Sequence, residues 1–248
     1  MEVEKNIKPV TERMLNHKIE YQMLPINKYI DHTILKPTCL VSDIHKLCEE
    51  AKQYDFAAVC VPPNFVKLAK EYTAGSDVKV ATVIGFPFGY SATEAKIAEI
   101  ILAMLDGADE LDVVANISAI KNADWAYIAD EINHIMPIVR SKGKTIKIII
   151  ESGVLTNDEI IACCDIYGAA GIDFLKTSTG YADKGASVEA VQLFRKHLPD
   201  SIQIKASGGI RDFETAKKMI DAGATRIGCS AGVSIVTGAT LDNLKSNY

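Results

Sequence analysis

Eight short runs rich in valine and isoleucine recur along this chain, each followed by a longer stretch of helical period, and this alternation constrains the fold more than any other feature. The runs are Tyr29–Leu35, Phe56–Val61, Lys79–Ile84, Glu110–Ala115, Thr145–Glu151, Ile172–Thr177, Ile202–Ala206 and Arg226–Cys229. Apolar strands alternating with amphipathic helices build a parallel sheet covered by helices. Spread over residues 28–248, eight units take about 28 residues each, which favours an α/β fold closed into a (β/α)8 TIM barrel over an open doubly wound sheet. The open alternative lacks its usual signature, because no G-x-G-x-x-G occurs. Gly143-Lys144-Thr145 imitates the end of a Walker A loop, but Ile138 stands where the first glycine belongs, and the tripeptide reads as a helix-to-strand turn.

The helical stretches carry their own markers. Thr93–Leu105 places Ile97, Ile100, Ile101 and Met104 on one face, and Ser91 with Glu94 and Thr156 with Glu159 read as capping boxes. Residues 1–27 are polar and lysine-rich with weak periodicity. They predict a short N-terminal helical extension, leaving 28–248 as one barrel domain.

Composition narrows the function. With 27 Lys+Arg against 32 Asp+Glu the net charge is −5, and no basic cluster tracks a phosphate backbone, so no nucleic-acid partner is expected. The charged start, Met1 to Val10, has no apolar core, and the longest apolar run, Ile227 to Val236, is too short to span a bilayer. No membrane association is expected, and the chain is placed in the cytoplasm. Its six cysteines then read as reduced thiols. Five histidines never form H-x-H or H-E-x-x-H and no C-x-x-C exists, so no metal site is expected.

Barrel enzymes use groups at the C-terminal ends of their strands, and two lysines stand there. Lys176 ends the sixth run and Lys205 the seventh, on strands expected to be neighbours. At about 6 Å and an effective dielectric near 20, their repulsion is roughly 2.8 kcal/mol, which brings a lysine from about 10.4 toward 8 and frees a nucleophilic amine. Either lysine alone reads equally as a strand end whose ammonium reaches solvent. Asp112, flanked by apolar residues in the fourth run, is a candidate proton relay or an ion-pair partner for a lysine. Asp31 in the first run raises the same question. Ser207-Gly208-Gly209-Ile210-Arg211 and Gly228-Cys229-Ser230-Ala231-Gly232 follow the last two runs, where barrels commonly cradle a phosphate. There Gly208, Gly209 and Gly228 would admit phosphate oxygens to the backbone, with Arg211 and Ser230 as further donors. Ordinary turns are the alternative.

Five segments make the pattern familiar: Ile30-Asp31-His32-Thr33, Val83-Ile84-Gly85-Phe86-Pro87, Ala108-Asp109-Glu110-Leu111-Asp112-Val113-Val114, Phe174-Leu175-Lys176-Thr177-Ser178-Thr179-Gly180, and Ile204-Lys205-Ala206-Ser207-Gly208-Gly209-Ile210-Arg211. Together they resemble the deoxyribose-phosphate aldolase family of class I aldolases, from about Lys28 to Gly238. The resemblance implies a (β/α)8 barrel, no cofactor, a small phosphorylated sugar as substrate, and reversible cleavage of 2-deoxy-D-ribose 5-phosphate into D-glyceraldehyde 3-phosphate and acetaldehyde. It also implies Lys176 as the Schiff-base lysine, Lys205 as the cation that depresses its pKa, Asp112 as proton donor and acceptor, and Asp31 in the pocket. Phosphate would rest on Gly208, Gly209, Arg211 and Gly228 to Ser230. Cys60 matches a pocket cysteine of some relatives, or is filler. Where some relatives carry a phosphate-assisting lysine, this chain has Tyr181, with Lys184 three positions on as a substitute; its terminal Tyr248 matches a tyrosine that assists proton transfer in some relatives. A phosphosugar isomerase, another phosphate-binding barrel, or a catalytically silent sugar-phosphate sensor are the alternatives. A homo-oligomer is compatible with the sequence.

Overall fold

The computed structural model describes residues 25–245, with side-chain detail as far as Gly238. The expected N-terminal helical extension falls almost wholly outside that range, and Tyr248 falls outside it too. The chain enters the barrel through a 3-10 turn, Ile26–Tyr29.

The first half alternates β1 (Ile30–Thr33), α1 (Val41–Gln53), β2 (Ala58–Val61), α2 (Val66–Tyr72), β3 (Lys79–Ile84), α3 (Thr93–Leu105), β4 (Glu110–Val114), α4 (Ile117–Lys121) and α5 (Trp125–Arg140). The second half continues with β5 (Thr145–Ile149), α6 (Asn157–Ala170), β6 (Phe174–Lys176), α7 (Val188–His197), β7 (Gln203–Ser207), α8 (Phe213–Asp221), β8 (Arg226–Cys229) and α9 (Gly232–Lys245). All eight expected strands form, most of them shorter than their apolar runs. The fifth run extends to Glu151, but its strand stops at Ile149 and the chain then turns through Glu151 in a left-handed conformation, φ 53°.

Neighbouring strands pair in parallel from β1 round to β8, and β8 pairs with β1 through Ile30↔Ile227 and His32↔Cys229, closing the barrel. Alternate residues of each strand face opposite sides. Leu111, Val113, Ile146, Ile148, Leu175, Ile204 and Ile227 are buried in the apolar core that joins the sheet to the helices. At about 1.5–3 kcal/mol for each fully buried aliphatic side chain, that layer supplies the main driving force for closure.

Two local expectations need correction. Thr156 and Glu159 do form a capping box at the start of α6, with Glu159 Oε2 accepting from the Thr156 N–H at 2.7 Å. Ser91 and Glu94 do not, because α3 begins one residue further on behind Ala92, which has no side chain to cap it. The inward face of α3 is also rotated: Lys96, Ile100 and Ala103 are buried, while Ile101 lies exposed beside Leu102 and Leu105. Lys96 is drawn in by partners remote in sequence, donating to Val114 O at 2.9 Å and to Glu131 Oε1 at 2.7 Å.

Candidate active site

Strand register decides which charges meet inside the barrel. Lys176 pairs with Lys205 across β6 and β7, and Asp112 pairs with Lys147 across β4 and β5. All four side chains point inward and are buried. Lys176 Nζ donates to Asp112 Oδ2 at 2.8 Å, and Lys205 Nζ donates to the same oxygen at 2.7 Å. The other oxygen, Oδ1, accepts from Lys147 Nζ at 2.8 Å. Asp112 is thus gripped by three amines, and the two lysines singled out in the sequence share one carboxylate oxygen.

These contacts divide the titrating groups. Burial is the largest influence on Lys176 and pushes its pKa below the ordinary lysine value, Lys205 adds to the depression, and Asp112 opposes it. Repulsion by Lys205 was the expected cause; desolvation is the larger one. Burial also disfavours the Lys205 ammonium, yet Asp112 and Asp31 outweigh it and hold that pKa above the ordinary value. For Asp112, burial would favour the neutral acid, but Lys147, Lys176 and Lys205 together hold the carboxyl well below the usual carboxylate range. Near neutral pH this leaves Asp112 ionised, Lys205 charged, and Lys176 the amine brought closest to losing its proton.

Lys176 opens into a cleft of about 310 Å³ framed by the loops that follow β1, β6, β7 and β8. Gly208, Gly209, Arg211, Gly228 and Ser230 all line it, with Lys176 at its floor. Gly208 and Gly209 both take positive φ, 88° and 83°, which a side chain would strain. The loop Lys184–Ala186 presses against them, with Ala186 N–H donating to Ser207 O at 3.0 Å and to Gly208 O at 3.1 Å. At Gly228 a Cβ would lie 3.0 Å from Lys205 Cε, so this glycine also makes room for the lysine.

Asp31 and Lys184 sit elsewhere than expected, while Cys60 is interior. Asp31 is fully buried beneath the cleft, paired with Lys205 and with Arg226, and does not line the opening. Lys184 is exposed and also absent from the lining; its backbone packs on Gly153. Cys60 lies inside the barrel with Ala81 and Val83, and burial pushes its thiol pKa up. Tyr181 takes a tethering position: its hydroxyl donates to Leu35 O at 2.9 Å, joining the loop after β6 to the loop after β1.

Other functional candidates escaped the sequence reading. Lys36 also lines the cleft. Lys147, Glu110 and Arg226 extend the charged interior: Lys147 Nζ lies 2.5 Å from Glu110 Oε2, and Arg226 Nη1 is 2.6 Å from Asp31 Oδ1 and 3.2 Å from Glu110 Oε2. The available signal was period-two spacing, Glu110 with Asp112 on β4, and Lys147 between isoleucines on β5.

An eight-stranded barrel with a buried amine–carboxylate centre under a glycine-lined cleft defines a class, the lysine-bearing (β/α)8 enzymes. A family profile described as DeoC/LacD family aldolase matches residues 26–238. The chain belongs to that family. It is 52% identical over 218 residues, 87% of this chain and 97% of its relative, to the deoxyribose-phosphate aldolase of Thermococcus gammatolerans. It is 48% identical to that of Caldanaerobacter subterraneus, covering 88% of this chain and 95% of the relative. Among solved structures, the tetrameric deoxyribose phosphate aldolase of Aeropyrum pernix superposes with a TM-score of 0.78 at 31% identity, covering 90% of this chain and 92% of that one.

Proposed function

We propose that this chain is a class I aldolase that reversibly cleaves 2-deoxy-D-ribose 5-phosphate to D-glyceraldehyde 3-phosphate and acetaldehyde, in deoxyribonucleoside catabolism. The observation that carries the reading is the Lys176 amine, desolvated, bound to Asp112 Oδ2 and open to a cleft lined by Gly208, Gly209 and Arg211. The names of its relatives support the same substrate.

In the cleavage direction the neutral amine of Lys176 adds to the C1 aldehyde and, on loss of water, gives an iminium. The C3 hydroxyl proton passes through water to Asp112 as the C2–C3 bond breaks, and the bond's electrons move into the iminium to form an enamine. D-Glyceraldehyde 3-phosphate departs, the enamine is protonated, and hydrolysis releases acetaldehyde and Lys176. Lys205 keeps its charge throughout and holds Asp112 in place. Phosphate binding by the backbone of Gly208, Gly209 and Gly228, with Arg211 and Ser230, fixes the far end of the sugar and lowers the barrier by orientation.

Borohydride reduction in the presence of acetaldehyde tests this reading. It is expected to leave an ethyl group on Lys176, located by peptide mass spectrometry. No adduct would instead favour a barrel that isomerises its substrate by enolisation, and an adduct on another lysine would remove Lys176 as the nucleophile.

The reading also takes residues 28–248 as the catalytic domain. A homo-oligomer is supported by the tetrameric relative and by the exposed Ile101, Leu102 and Leu105. A cytoplasmic location is supported by six free cysteines among the described residues. No helix among the described residues is long and apolar enough to cross a membrane.

A further inference from the structure

Barrel interiors are ordinarily filled by layers of branched aliphatic side chains. Here seven ionisable groups face inward from six strands: Asp31, Glu110, Asp112, Lys147, Lys176, Lys205 and Arg226. Six of them close into a ring of alternating sign. Starting at Asp31, the carboxylate meets Arg226 at 2.6 Å, and Arg226 meets Glu110 at 3.2 Å. Glu110 meets Lys147 at 2.5 Å, and Lys147 meets Asp112 at 2.8 Å. Asp112 meets Lys205 at 2.7 Å, and Lys205 returns to Asp31. Each member has a partner of opposite sign on both sides, and a cross-ring approach of 3.8 Å joins Lys147 to Asp31.

Three cations and three anions make that ring neutral. Lys176 is the seventh group, attached at one point only, Asp112 Oδ2. If Lys176 were protonated, the water-poor interior would hold one uncompensated positive charge, which burial makes costly. We infer that the ring leaves Lys176 as the surplus base of the interior, so that Glu110 and Arg226, which make no ion pair or hydrogen bond with it, are positioning residues for its reactivity. The inference deepens the aldolase reading by naming residues, on the far side of the ring from the amine, that govern the charge of the nucleophile.

Two further groups face Lys176, and neither joins the ring. Cys60 comes from β2, and burial keeps its thiol protonated. Glu151 follows β5 at the rim, where it accepts from the Thr179 N–H and hydroxyl and makes no ion pair with Lys176. Burial raises its pKa, although its hydrogen bonds from Thr179 and the Lys176 charge pull the other way.

The test uses the full chain and reads the amine itself, through the rate at which a small acylating reagent labels Lys176 as pH is raised, followed by mass spectrometry. Arg226→Met leaves the ring one charge negative, and Lys176 is expected to hold its proton longer. The labelling midpoint should rise by about one pH unit, the size expected of a unit charge roughly 10 Å away at an effective dielectric near 20. Glu110→Gln leaves the ring one charge positive and should lower the midpoint by a similar amount. The double variant restores neutrality and should return the midpoint to within a few tenths of wild type. Arg226→Lys keeps the charge and should leave it unmoved. Purely structural roles would not give shifts of opposite sign that cancel. If Arg226→Met does not fold, the Glu110→Gln shift decides alone. Midpoints that stay put, or that move the same way in both single variants, would overturn the inference. Labelling needs no turnover, so an absent borohydride adduct would count against the aldolase reading while leaving this test intact.

Discussion

The two faces of the same eight strands are built on opposite rules. Outward, Leu111 and Val113 of β4 and Ile146 and Ile148 of β5 press on the helices with apolar contacts alone. Inward, Glu110 and Asp112 of β4 and Lys147 of β5 alternate with them, one residue away, and form ion pairs. Apolar groups remain in the interior too: Cys60, Ala81 and Val83 cluster on the β2 and β3 side, and the Phe174 ring lies against Lys147 and Arg226. Apolar contact is non-directional and pays for the fold; a buried ion pair adds little net stability but fixes geometry and charge. The shell therefore holds the protein together, and the lumen prepares the chemistry.

Three experiments can break or sharpen that contrast. Lys176→Met should have the largest effect, abolishing turnover by a factor on the order of 10⁴ or more, as expected when a covalent nucleophile is removed. Its melting temperature should stay level or rise, because the surplus base is gone and the neutral ring remains; a marked fall would mean that lumen and shell are not separable. Next come two neighbours on β4. Asp112→Asn leaves three amines around an uncharged amide and should cost about 3–5 kcal/mol together with activity. Leu111→Ala, facing the other way, should cost about 2–5 kcal/mol in denaturant melts with kcat little changed. Should kcat fall with Leu111→Ala, the shell would be shaping the site directly.

The smallest effect is on the pH dependence of stability. Asp31 and Asp112 have carboxyl pKa values below the unfolded value near 3.9, because the surrounding cations outweigh burial. Their stabilisation is complete above that value and is lost as pH falls from it toward the folded-state values. Denaturant melts should be flat with respect to these groups from neutrality down to about pH 5 and weaken below it. In the Asp112→Asn variant the acid-dependent loss should be smaller. An unchanged acid limb would remove Asp112 from the account.

The fold was legible because it depends on periodicity, and a run such as Lys79–Ile84 announces a buried strand whatever its neighbours are. Lys176, Lys205 and Asp112 were legible for the same reason, as ionisable residues placed where apolar ones belong. Lys147, Glu110 and Arg226 were missed because strand register, not local sequence, brings them together: a lone lysine between isoleucines looks the same whether it pairs inside a barrel or reaches solvent. The rotated face of α3 had a similar cause. Lys96 is buried because Glu131, on another helix, and the Val114 carbonyl wait for it. Asp31 was expected at the pocket wall, yet it is fully buried against Lys205 and Arg226 and does not line the cleft.

The hydrogen bond from Tyr181 to Leu35 lays an aromatic crossbar over the rim. On one side lies the cleft with Lys176 and the glycine loops; on the other is a second hollow of about 320 Å³, framed by Pro87, Phe88, Tyr90, Val154 and Tyr181 itself. The rim thus carries two hollows of contrasting character, one more polar and one more apolar. In the proposed reaction the two-carbon fragment stays bonded to Lys176 while the phosphorylated one leaves, so the polar hollow empties first and the covalent bond, not the rim, sets the order of departure.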